Sequence, residues 1–210
     1  MIVLHYTAMA SAEAALQRLC DPVAEVSAHY LIGRDGALYQ MVAEEERAWH
    51  AGRGSWGAAT DVNSRSIGIE LDNDGGAPFS SDLMARLEAL LGEVMARWEI
   101  APARVIGHSD MAPDRKQDPG RRFDWGRLAA TGLVVWPEAG PIGSEEVSAR
   151  AFRAAAEAFG YPSSASDAQL LGAFRQRFRP WDHGPLVAAD VAAITDLARR
   201  FPVDVGAKPL

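Results

Sequence analysis

Apolar and polar positions follow two rhythms along this chain. Residues 66–72, SIGIELD, set Ile67, Ile69 and Leu71 against Gly68, Glu70 and Asp72. That two-residue period predicts a strand with its aliphatic set in the core and Glu70 on the opposite, exposed face. Residues 82–98 repeat Leu83, Leu87, Leu90, Leu91, Val94 and Trp98 at helical spacing behind Ser80 or Ser81 as cap, which predicts a helix packed across a sheet. A short apolar run at 2–5 ends in His5, and Ser11 caps a helix carrying Leu16 and Leu19 that stops at Asp21 and Pro22. Two further runs, VSAHYLIG (26–33) and ALYQMV (37–42), flank Arg34, Asp35 and Gly36 as a hairpin. Residues 104–107 read as strand, and residues 125–128 begin a short helix.

The pattern breaks at WPEAGPIG, 136–143, which reads as a linker. Beyond it three helical stretches, 145–159, 168–178 and 188–200, predict a small bundle with Phe152, Leu170, Leu171, Phe174, Phe178, Val187, Ile194 and Leu197 as its core. The expected division is 1–137, linker 138–143, and 144–210.

Composition narrows the functional classes. The 210 residues are 48% hydrophobic, enough for a full domain plus a small one. Net charge is −7, with 28 acidic against 21 basic residues, which argues against a nucleic-acid partner because phosphate binding needs clustered Lys and Arg. Cys20 is the only cysteine, so there is no intramolecular disulfide and no thiolate zinc knuckle. As an apolar helix residue it reads as core rather than nucleophile. The opening MIVLHYT lacks a basic n-region and a signal-length apolar segment, and no later run has membrane-spanning length. The expectation is a cytoplasmic protein without a membrane segment, or a periplasmic one if a segment precedes these residues.

The richest chemistry lies in GHSDMAPDRKQDPG, 107–120. Pro113, Pro119 and Gly120 argue against regular structure there, and Lys116 and Asp118, two apart in extended backbone, face the same way. Lys116 is one of only two lysines, with Lys208. Catalytic zinc sites take three ligands from His and carboxylate and leave a position for water. His5, His108 and Asp118 meet that count, although His29, His50 and His183 compete on spacing alone. Glu70 would then serve as base and Lys116 as oxyanion partner. Ser109 lacks the G-x-S-x-G elbow of a serine hydrolase.

Five ordered motifs, IVLHYT (2–7), VSAHYLIGRDGALYQ (26–40), AWHAG (48–52), SIGIELDN (66–73) and GHSDMAPDRKQDPG (107–120), resemble the amidase-2 family. These are zinc-dependent N-acetylmuramoyl-L-alanine amidases of the AmpD and AmiD types, related in fold to peptidoglycan recognition proteins and phage lysozyme. The resemblance runs over residues 2 to about 130, and the helical tail resembles a small peptidoglycan-binding domain found in the AmiD-type subgroup, whose members are met attached to the envelope.

This resemblance implies an α/β (α+β) fold: a mixed central β-sheet flanked by helices, with a zinc site in a surface cleft, followed by a small three-helix domain. It implies one Zn2+ on His5, His108 and Asp118, with Glu70 and Lys116 as catalytic groups. The reaction it implies is hydrolysis of the amide between N-acetylmuramic acid, plausibly the 1,6-anhydro form, and L-alanine of a stem peptide. The expected partners are muropeptide or peptidoglycan fragments, bound by a monomer. The phage enzyme's catalytic Tyr and its Cys ligand are here Ala28 and Asp118, which sides with AmpD and AmiD and shifts the burden to Glu70. His29 and His50 read as structural or substrate-wall groups. Arg115 offers a charge-assisted pair to a carboxylate, and Tyr39, Trp49 and Trp56 offer apolar walls for a sugar, each against the simpler alternative of surface charge or core packing. A muropeptide recognition module that binds without cutting is the rival function.

Overall fold

The computed structural model describes residues 1–138 and 147–203. Five strands, β1 (Ile2–Tyr6), β2 (Tyr30–Ile32), β3 (Leu38–Gln40), β4 (Ile67–Leu71) and β5 (Val105–Gly107), form one sheet in the order β3-β2-β4-β1-β5. β4 lies at its centre and β1 between β4 and β5, parallel to both, with β2 parallel to β4 and β3 antiparallel on the edge. The expected hairpin is β2–β3, with Tyr30 opposite Gln40, and Gly36 takes the positive φ of 82° that its turn requires. Its strands are shorter than the apolar runs, although backbone hydrogen bonds from Met41 N–H to the His29 carbonyl and from Gly33 N–H to the Ala37 carbonyl extend the pairing at either end.

Seven helices complete the described chain: α1 (Ala12–Leu19), α2 (Ser81–Arg97), α3 (His108–Met111), α4 (Trp125–Ala130), α5 (Ala149–Phe159), α6 (Asp167–Phe178) and α7 (Ala188–Arg200). Ser11, Ser80 and Ser166 cap α1, α2 and α6, each accepting a backbone N–H three residues on. Helix α2 buries Leu83, Leu87, Leu90, Leu91 and Val94 against Ile2, Leu4, Ile67, Ile69 and Leu71 of the sheet, each such side chain worth roughly 1.5–3 kcal/mol. Trp98, expected on that stripe, is 42% exposed at the helix end and donates its indole N–H to Glu44.

The other face of the sheet carries the alternate residues. Val3 and Ile106 pack there in one cluster with Trp56, Met111, Phe152, Phe159, Phe174, Phe178, Ile194 and Leu197. The helices after residue 146 thus share their apolar core with the sheet. Of the expected bundle core, Val187 is 39% exposed at the start of α7, because its position is the cap rather than the buried stripe. Residues 139–143 of the expected linker, and 145–146 of the expected helix, lie outside the described residues.

A buried polar junction joins the two parts. Arg177 of α6 donates to Asp110 Oδ2 at 2.8 Å and to the Val105 carbonyl at 3.0 Å, while Tyr161 donates its hydroxyl to Asp110 Oδ1 at 2.8 Å. Asp110 Oδ2 also accepts the Gly107 N–H at 2.8 Å, holding the first turn of α3. Prolines were expected to exclude a helix from 107–120, but this cap supports one turn before Pro113.

Candidate active site

β1, β4 and β5 run parallel and end together, which is where open α/β sheets place their sites. His5 and Glu70 are register partners on adjacent strands, so both side chains project on the face that also carries Val3 and Gly68. His108 begins α3 directly beyond β5. The turn-rich segment after Pro113 folds back, and the Ser109 N–H donates to the Asp118 carbonyl at 2.9 Å. That return brings Asp118 to the histidines.

His5 Nδ1 lies 2.9 Å from His108 Nδ1, and Asp118 Oδ2 lies 3.0 Å from each. Among the described residues these three form the group of His, Cys, Asp and Glu side chains able to hold a metal ion. His108 Nε2 is 2.9 Å from the Ala51 carbonyl, so it carries the hydrogen and leaves Nδ1 with a lone pair. A bare nitrogen facing a carboxylate oxygen at 3.0 Å is repulsive unless positive charge sits between them. The donor set fits zinc, whose ligands at ~2.0–2.1 Å in a tetrahedron stand only slightly farther apart.

Electrostatics agree with a cation-binding corner. Burial, reinforced by His108, pushes His5 down to about 4 and keeps it neutral. Burial works to raise the Asp118 carboxyl, and hydrogen bonds from His108 and His5 with positive charge on those rings outweigh it, holding it well below the ordinary carboxylate range; where the Nδ1 atoms are bare, a bound cation takes that part. Burial, then the Asp118 charge, pushes Glu70 up to about 8 against the opposing pull of Lys116. Glu70 was expected on an exposed face. The residue is only partly exposed, and its Oε2 is buried without a hydrogen-bond partner, aimed into a cleft of about 480 Å³. His5, His108, Asp118, Glu70 and Lys116 all line that cleft.

The expected substrate groups separate. Trp49 lines the cleft and is 55% exposed. Trp56 is fully buried, edge-on to Phe159 and Tyr161, and offers no wall to a sugar. Tyr39 sits on the edge strand against Ala12, Ala15 and Leu31, away from the cleft. Arg115 borders the cleft, but its guanidinium donates to the carbonyls of Ala51 and Arg53, so it clamps the 51–53 loop instead of waiting for a carboxylate. Cys20, expected in the core, is exposed at the end of α1, and His183 is exposed between α6 and α7.

Sequence reasoning missed how many other groups serve this corner. His50 Nδ1 lies 3.0 Å from His5 Nε2, and its Nε2 lies 3.2 Å from Ser66 Oγ. Burial, with His5, His29 and His108 nearby, keeps His50 neutral. His29 is structural: its Nδ1 accepts the Gly68 N–H and its Nε2 donates to the Glu46 carbonyl. The AWHAG motif singled out His50 but held no sign of which ring atom faces what.

Comparison with known proteins places this geometry. A family model described as N-acetylmuramoyl-L-alanine amidase matches residues 1–121. The amidase AmiD of Escherichia coli is 39% identical over 155 residues, 66% of this chain and 55% of that protein. The 1,6-anhydro-N-acetylmuramyl-L-alanine amidase AmpD of Citrobacter freundii is 40% identical over 105 residues, 50% of this chain and 56% of that protein. The chain therefore spans a little over half the length of these relatives. In structure it is similar to E. coli AmiD in complex with its substrate anhydro-N-acetylmuramic acid-L-Ala-D-gamma-Glu-L-Lys, at TM-score 0.88 and 31% identity over 96% of this chain and 89% of that one. It is equally similar to AmpDh3 of Pseudomonas aeruginosa in complex with anhydromuramic pentapeptide, at TM-score 0.87 and 29% identity over 97% of this chain and 92% of that one. With the matched segment carrying the whole His5–His108–Asp118 corner, and the solved relatives extending the likeness through the C-terminal helices, the chain belongs to the N-acetylmuramoyl-L-alanine amidase family.

Proposed function

We propose that this protein is a zinc-dependent hydrolase of the amide between N-acetylmuramic acid, in its 1,6-anhydro form, and L-alanine of a peptidoglycan stem peptide. It would act in cell-wall turnover or recycling. The observation that carries the reading is the convergence of three ligand atoms at 2.9–3.0 Å beside a buried, unpartnered carboxylate oxygen of Glu70. Muropeptide substrates come to this chain by analogy with the ligands of AmiD and AmpDh3.

His5, His108 and Asp118 would hold the zinc. The chemistry a bound zinc ion supplies there is polarisation of the scissile carbonyl and acidification of water. Glu70 takes a proton from the attacking water as its oxygen bonds to the carbonyl carbon, then returns that proton to the leaving amine nitrogen as the C–N bond breaks. In the metal-free protein the Glu70 carboxyl is raised to about 8, and a cation held beside Asp118 would bring it back towards the operating pH, where a proton carrier works best. Lys116 holds the developing oxyanion, and its ammonium costs little reorganisation because the cleft already faces it. Trp49 supplies the apolar wall on which a sugar ring can rest.

Residues 1–137 are assigned the chemistry. The helices after 146 are assigned a supporting role through their shared core, beside the peptidoglycan-binding role their likeness implies. Among the described residues no helix is long and apolar enough to cross a membrane. A cytoplasmic site of action, on soluble fragments, is part of the proposal.

The test is incubation of zinc-loaded protein with anhydro-muropeptides and, in parallel, with intact sacculi, read by mass spectrometry. Free stem peptide is the expected product. Zinc bound without any release would refute the hydrolase reading in favour of a recognition module, and cleavage of sacculi alone would refute the recycling assignment.

A further inference from the structure

We propose that the His50–Ala51 dipeptide, pinned by Asn63, sets the tautomer of both histidines of the metal corner, so that each presents a bare Nδ1 to the ion. His50 and Asn63 are then positioning residues, acting through His5 and His108.

The argument is a chain of donors. The Ser66 hydroxyl donates to the Val62 carbonyl at 2.5 Å, so its oxygen has only lone pairs to offer His50 Nε2 at 3.2 Å. His50 Nε2 therefore carries the hydrogen, and a neutral imidazole protonated there accepts at Nδ1. His5 Nε2, 3.0 Å from that Nδ1, must bring the hydrogen. His5 Nδ1 is left bare, and it is this atom that faces His108 Nδ1 and Asp118 Oδ2. His108 reaches the same state independently, because its Nε2–H donates to the Ala51 carbonyl at 2.9 Å.

The two orienting groups, the His50 ring and the Ala51 carbonyl, hang on adjacent residues. Asn63 Oδ1 accepts both of their backbone N–H groups, at 3.0 Å and 2.8 Å, and Asn63 is buried. One side chain thus anchors both orienting arms. Gly68 completes the device, since a Cβ at that position would collide with the His50 ring. Any side chain there would push His50 out of reach of His5.

This inference rests on the metal reading of the site, and the experiment separates the two. Long-range 1H–15N correlation spectra of the zinc-loaded wild-type protein are expected to report hydrogen on Nε2 of both His5 and His108, with Nδ1 turned to the metal; an Nδ1–H signature for His5 would overturn the relay. Zinc affinity, measured by chelator competition, is expected to fall about 10- to 100-fold in His50→Leu, the loss typical of removing an orienting partner. His50→Asn, whose amide oxygen replaces the lost acceptor, should recover most of it. Wild-type protein that takes up no zinc defeats the metal reading. Wild-type protein that binds zinc no more tightly than a folded His50→Leu defeats only the relay, and in that case a raised KM would mark His50 as a substrate wall.

Discussion

Arg177→Met tests how the helical part supports the His5–His108–Asp118 corner. Arg177 and Asp110 are paired at 2.8 Å with side chains only 1% exposed. Removing the guanidinium leaves the Asp110 charge buried with the Gly107 N–H and the Tyr161 hydroxyl as its remaining donors. Breaking a buried pair from one side costs about 3–5 kcal/mol, because the surviving charge has lost its compensation. The contact of the Arg177 guanidinium over the Trp125 ring, at 4.5 Å, adds about 0.5–2 kcal/mol. The expected loss is therefore about 5 kcal/mol, a large part of the ~5–15 kcal/mol that holds a protein folded. At this chain length each kcal/mol corresponds to ~2–4 °C, so Tm should drop by roughly 10–20 °C.

Equilibrium urea unfolding is the assay, and one shared core predicts a single transition. Adding Asp110→Asn to Arg177→Met should restore part of the loss, since the buried charge is then gone. A deficit below ~1 kcal/mol for the single variant, or a double variant less stable than Arg177→Met alone, would refute the reasoning. Because Asp110 also holds the turn that carries His108, kcat/KM should fall even where Arg177→Met remains folded.

Other consequences are open to direct measurement. In metal-free protein, Glu70 at about 8 against its ordinary 4.5 contributes stability that is full below pH 4.5 and lost as pH rises through 8. Glu70→Gln should therefore gain on wild type over that window by a few kcal/mol, at about 1.4 kcal/mol for each tenfold change in proton affinity, and an equal gain at pH 4 would contradict it. Lys116→Ala should lower kcat about 10²- to 10³-fold with little change in KM, as for loss of an oxyanion partner; a pure KM effect would remove it from the chemistry. Trp49→Ala should raise KM at unchanged Tm, whereas Trp56→Ala should cost about 3–5 kcal/mol in urea unfolding as a core truncation and leave KM alone. Stripping zinc with a chelator should lower Tm, and readdition at about 100 times Kd should restore about 2.7 kcal/mol; a Tm indifferent to zinc would argue that the corner holds no ion.

The sequence by itself determined most of the secondary structure and the identity of the central groups. Alternation through Ile67, Ile69 and Leu71 and helical spacing from Leu83 to Val94 are local properties, written in the period with which side chains return to the same face. His5, Glu70, His108, Lys116 and Asp118, which the fold brings to one cleft, stood out because chemistry limits which residue types bind metal or move protons, and because five ordered motifs resemble one family. Tertiary structure decided what depends on distance across the chain. Trp56 and Trp49 are the same residue type seven positions apart, yet only packing against Phe159 and Tyr161, a hundred residues on, buries the first and leaves the second in the cleft. The turn at His108–Met111 needed a carboxylate cap that outweighs nearby prolines. Arg115 looked like a carboxylate ligand until the 51–53 carbonyls claimed it. The direction in which His5 and His108 point their lone pairs is set by hydrogen bonds to residues 45 and 57 positions away. Such bonds leave no period and no local spacing, because a hydrogen bond constrains positions in space and not their order along the chain.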